Sequence, residues 1–106
     1  MSKQILGMLM TSKKQILSFL RQNKEYFSTH YHISVLALYG FYARDEATEN
    51  SDIDIIYERN VSASFKLFSE AEEYLSIGLE KKVELVNIKY MNPVIKRAAE
   101  KDFIYV

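Results

Sequence analysis

From Ile33 to Tyr39 the chain reads ISVLALY, an unbroken apolar run that begins with β-branched residues and is closed by Gly40. A strand with no polar alternation has no face it can leave in water. It must therefore lie in a sheet covered on both sides. The cover has to come from helices, and the rest of the sequence supplies them. Ser12 is placed to cap a helix through KKQILSFLRQNKEYF, where Ile16, Leu17, Leu20 and Phe27 recur at helical spacing. From Ser62 or Ser64, SFKLFSEAEEYLSIGLEKK predicts a second amphipathic helix with Phe65, Phe68, Leu75 and Leu79 on its buried stripe. Asn92 followed by Pro93 opens a third.

Two further runs read as strands. DIDIIYE, over 52–58, alternates with period two, and VELVNI, over 83–88, is largely apolar. The closing FIYV is expected as a short edge strand or a docked tail. This order predicts an α/β (α+β) fold, a mixed sheet of about three strands flanked by helices. At 106 residues the chain is expected to form a single domain over 1–106.

Composition narrows the partners. Lys plus Arg equals Asp plus Glu at 14 each, so no global positive field exists to hold a nucleic-acid backbone, and nucleic acid is not an expected partner. The absence of cysteine excludes disulfides and thiolate metal sites. The N-terminal apolar run Ile5–Met10 is broken by Gly7 and is short for a signal-peptide core. No stretch approaches the roughly 18 apolar residues of a membrane span. A cytoplasmic location without membrane attachment is expected.

The chemistry-bearing residues gather around the strands. Alternate side chains of a strand share a face, so Asp52 and Asp54 point together while Ile53 and Ile55 point to the core. Their Cα atoms lie about 6.5–7 Å apart on strand geometry, close enough for both carboxylates to reach one ion or a pair of ions. Alone, such a pair is more often simply solvated. Glu84 adds a third acid in a strand that otherwise reads as core, where a charge is costly unless paired or metal-bound. It either joins the aspartates or pairs with Lys81 or Lys82 at the sheet edge. Gly40 lets backbone N–H groups approach an anion, a helical turn over FYAR would aim its positive end the same way, and Arg44 could add a cation. His30 and His32 have a spacing that could meet a metal on a strand, but with no third ligand nearby a polar loop is expected there.

Together these residues resemble the nucleotidyltransferase signature of the DNA polymerase β-like superfamily: Gly-Ser, ten residues, then Asp-x-Asp. Here Gly40 and Phe41 are followed by ten residues, Tyr42 to Ser51, and then Asp52-Ile53-Asp54. YARDEATENSDIDII resembles the family's ARG…SDIDL wording, and VELV stands where the family carries its third acid. The resemblance covers about Ile33 to the C-terminus, and the small size matches the minimal nucleotidyltransferases. It implies the nucleotidyltransferase fold and a two-metal transfer, with Asp52, Asp54 and Glu84 as catalytic Mg²⁺ ligands and ATP as substrate. Gly40, Phe41, Arg44 and Ser51 would border the nucleotide. It further implies an antitoxin that transfers AMP to a tyrosine of a partner HEPN toxin. Three positions depart from the pattern: Phe41 for serine, Asp45 for the glycine after the arginine, and Glu84 for aspartate. They imply an alternative, a catalytically weakened protein that neutralises or scaffolds its partner by binding alone.

Overall fold

The computed structural model describes residues 12–59 and 64–106. The apolar run Ile5–Met10 and the candidate cap Ser62 lie outside the described residues. Among the described residues no helix is long and apolar enough to cross a membrane.

Helix α1 spans Lys13–Tyr31 and starts as the sequence predicts. The Ser12 hydroxyl accepts from the Gln15 N–H at 3.1 Å, and the Gln15 side chain accepts from the Ser12 N–H at 2.9 Å. This reciprocal cap satisfies two donors the helix would otherwise leave open. The helix continues past Phe27 because Tyr31, one turn on, is buried on the same face. It ends at His32, which adopts the left-handed conformation at φ 58°. His30 therefore sits in the last helical turn, stacked on Tyr26 with ring centroids 5.1 Å apart, rather than in a loop.

Strands β1 (Ile33–Tyr39), β2 (Ile53–Arg59), β3 (Val83–Asn87) and β4 (Ile104–Tyr105) form one sheet in the order β3-β2-β1-β4. The β1–β2 and β1–β4 pairs are antiparallel and β2–β3 is parallel. The sheet is thus mixed as expected, with FIYV supplying a fourth, edge strand. Helix α2 (Phe65–Leu79) crosses over from β2 to β3, and α3 (Pro93–Ala99) follows β3.

Both faces of β1 are covered. On one side Ile16, Leu20 and Phe27 of α1 and Ala71 and Leu75 of α2 pack with Val35, Leu38, Ile53 and Ile55. On the other a smaller cluster joins Ala37 and Ile56 to Ala99 and Phe103. A register shift in β1 between Val35 and Ala37 changes its parity against β2. One expectation for α2 fails. Phe65 is 80% exposed, because it is the first helical residue beside the Ser64 cap. The buried stripe runs through Ala71, Leu75 and Leu79 instead, with Phe68 partly buried.

Candidate active site

Gly40 ends β1 with φ +80°, a left-handed conformation that side chains disfavour. It is also pressed against a carboxylate. A Cβ at this position would run into Asp54 Oδ2 and stand 3.3 Å from its Cγ. The cause is the antiparallel register, which sets Tyr39 opposite Asp54 and so brings the residue just after β1 over that side chain. Glycine is required here on two grounds, backbone angle and space.

Beyond Gly40 the chain makes one helical turn, closed by the Arg44 N–H donating to the Gly40 carbonyl at 3.1 Å. Asp45, at φ 60°, stops the turn, and the Glu46 N–H donates to the Phe41 carbonyl at 2.9 Å. Among the described residues the N–H groups of Phe41 and Tyr42 take no acceptor. Two open donors at the start of a turn, beside a cluster of acids, suit a phosphate bridged to a cation.

The three acids share this end of the sheet. Asp54 is the register partner of Glu84 across the parallel β2–β3 pair, with Tyr39 on its other side. Asp52 lies just before β2 and is partly exposed. The Ile53 N–H donates to the Lys82 carbonyl at 2.9 Å, which ties the start of β2 to the start of β3. Burial pushes the Asp54 carboxyl above its ordinary proton affinity. The negative charges of Glu84 and then Asp52 push it further, and Arg44 partly offsets them. Asp54 thus sits in the field of the other two acids. Glu84 is exposed. Of the two lysines weighed as its partners, Lys82 faces Asp52 instead, at 3.9 Å, and the Lys81 ammonium donates to the Glu49 carbonyl.

The departures from the family pattern have local partners. Phe41 is 49% exposed, and the Arg44 guanidinium lies over its ring, 5.1 Å from the centroid. Arg44 also pairs with Glu46 at 3.0 Å and with Asp102 at 3.8 Å. The Asp45 carboxylate meets Lys13 of α1 at 2.9 Å. Ser51 closes the loop before the acids: its hydroxyl accepts from the Thr48 N–H at 2.9 Å, and its own N–H donates to the Thr48 carbonyl at 3.0 Å. Sequence reading did not single out Asp102 or the Lys82–Asp52 contact. Only the packing of the C-terminal segment and the strand register bring those pairs together.

The donor set fits Mg²⁺ in kind. It is all carboxylate oxygen, on one face, with a mutual repulsion that a divalent cation relieves. As they stand, no three His, Cys, Asp or Glu side chains among the described residues converge closely enough to hold a metal ion. Asp52 is partly exposed and Glu84 exposed, so neither carboxylate is enclosed by the core.

The family described as polymerase beta, nucleotidyltransferase matches residues 21–105. Protein MJ0128 of Methanocaldococcus jannaschii, provisionally named a protein adenylyltransferase, is 42% identical over 99 residues, covering 92% of this chain and 100% of its own length. The protein adenylyltransferase MntA of Thermococcus cleftensis is 30% identical over 99 residues, covering 93% of this chain and 100% of its own. Among solved structures, a chain from the complex of the tri-AMPylated HEPN toxin of Shewanella oneidensis with its MNT antitoxin shares the fold. It does so at a TM-score of 0.53 and 19% identity, over 88% of this chain and 66% of that one.

Proposed function

The chain belongs to the polymerase β nucleotidyltransferase family, and we propose that it transfers AMP from ATP to a tyrosine of a partner toxin of the HEPN type, with Mg²⁺ as metal. The observation that carries this reading is the contact between Gly40 and Asp54, which sets open backbone donors beside the acids that share the face. The adenylyltransferase relatives and the AMP-bearing HEPN complex support the choice of AMP and of partner.

In the proposed reaction the tyrosine oxygen attacks the α-phosphorus and forms a new P–O bond. The bond from that phosphorus to the bridging oxygen breaks, pyrophosphate leaves, and the phenolic proton passes to Glu84. Asp52 and Asp54 would hold Mg²⁺, which neutralises triphosphate charge and favours the attacking oxygen as phenolate. The Phe41 and Tyr42 N–H groups bind phosphate oxygens, and Gly40 lets the backbone come close enough for them to do so. The binding-only alternative rests on Phe41 and Asp45. It gains little from their surroundings, since the Phe41 ring rests against Arg44 and the Asp45 charge is met by Lys13.

The test combines the chain with a HEPN-type partner, ATP and Mg²⁺, and reads the partner's mass. An AMP adduct on a tyrosine is expected, and it should vanish with Asp52→Ala plus Asp54→Ala. No adduct with either Mg²⁺ or Mn²⁺, from a complex that still assembles, would overturn the proposal. Protection from toxicity by that double variant would favour binding alone.

A further inference from the structure

At the opposite end of the parallel β2–β3 pair, beyond the C-terminal ends of both strands, the surface opens into a cleft of about 910 Å³. It is lined by Tyr57, Glu58 and Arg59 from the end of β2 and by Lys89, Tyr90 and Lys96 from the segment after β3, among others. Arg59 lies five residues along β2 from Asp54, about 16 Å at strand rise. The cleft is therefore separate from the acids.

Its chemistry is the reverse of theirs. Three cations face one carboxylate, in a chain whose overall charge is zero. Lys89 and Lys96 make no ion pair among the described residues. Tyr90 is 77% exposed, and the Lys89 ammonium lies over its ring, 5.8 Å from the centroid. An exposed aromatic ring flanked by unpaired cations offers a stacking surface next to anion-binding groups. The volume suits a small ligand. Three cations on a neutral chain are too few to hold a polynucleotide backbone against salt.

We propose that this cleft binds a mononucleotide, with the base on Tyr90 and the phosphate between Lys89 and Lys96. The site is independent of the metal and of the adenylyl transfer proposed above.

The test uses AMP and, separately, inorganic phosphate, with EDTA present. The protein carries Asp52→Asn and Asp54→Asn, which takes metal-dependent nucleotide binding at the acids out of the measurement. Backbone amide shifts are followed by NMR. Saturable shifts at 57–59 and 87–96 are expected with AMP. Lys89→Glu with Lys96→Glu, one at an exposed and one at a partly exposed position, should weaken AMP binding at least tenfold while the chain still unfolds cooperatively. Tyr90→Ala should weaken AMP several-fold and leave phosphate unchanged. Shifts confined to 40–54, or an unchanged dissociation constant after charge reversal, would overturn the proposal. So would saturation by an acidic peptide where AMP gives none, since that would make the occupant a protein segment. Equal affinity for phosphate and AMP would refute the role given to Tyr90.

Discussion

Gly40→Ala tests the link between fold and site at its narrowest point. At φ +80° an L-residue loses about 1–2 kcal/mol relative to glycine. The new methyl would also run into the Asp54 carboxylate and stand 3.4 Å from Asp54 Cβ, so the carboxyl must rotate away from Gly40. Metal-free protein should thus be destabilised by at least ~1–2 kcal/mol in urea unfolding. AMP transfer should fall further than stability, because a catalytic group displaced by about 1 Å costs on the order of a hundredfold in rate. Gly78→Ala is the control. A methyl there meets the Phe19 ring, at 2.7 Å from Cε1, and perturbs the packing of α1 on α2 without touching an acid. It should change the unfolding midpoint and leave kcat/KM intact. If Gly40→Ala keeps wild-type stability and transfer, the close approach of Gly40 to Asp54 does not organise the site.

Three further outcomes follow from the same geometry. The folded, metal-free chain binds the Asp54 proton more tightly than the unfolded chain. Its contribution therefore favours folding in acid and is lost as pH rises from the ordinary carboxylate range through the raised folded value. Asp54→Asn should remove that slope and raise the neutral-pH unfolding midpoint in EDTA, while abolishing transfer; a lower midpoint would contradict it. Phe41→Ser trades an exposed ring over Arg44 for a hydroxyl in the turn. One added hydrogen bond should tighten ATP binding about fivefold, as calorimetry would show. Leu75→Ala empties a fully buried position between α2 and the sheet and should cost about 2–5 kcal/mol in urea unfolding. A smaller loss would mean that the helix settles into the gap.

What the sequence reveals and what it hides divide along physical lines. The strands, the caps at Ser12 and Asn92, Gly40 and the run of acids are all legible, because each depends on a residue's own conformation or on spacing within one element. Phe65 falls outside the buried stripe for a related reason. Helical periodicity says which residues share a stripe, but not where along the helix the sheet ends. The parity change between Val35 and Ala37 leaves no mark in an unbroken apolar run, since either face of such a strand accepts any of its residues. Lys82 meeting Asp52, Arg44 reaching Asp102, and the basic cleft after β3 all depend on register or on the return of the C-terminal segment. No local pattern encodes these.

The register of β2 explains how a carboxylate can persist on a strand that the fold must bury. Ile53 and Ile55 are fully enclosed on one face, and Asp54 lies between Tyr39 and Glu84 on the other. A slip of one residue would exchange the faces, sinking Asp54 into the core and moving Ile53 to a partly exposed position on the face of the acids. Burying an unpaired carboxylate costs several kcal/mol, and an isoleucine moved out of the core forfeits at most roughly 1.5–3 kcal/mol. Core and site therefore fix the same register, and whatever holds the hydrophobic layer together also holds the acids in line. The repulsion they suffer without a cation remains in the metal-free protein, where with burial it raises the proton affinity of Asp54 above its ordinary value. A cation held there, as proposed above, would relieve that repulsion. On that reading the geometry that looks costly in the free chain would favour binding of the cation.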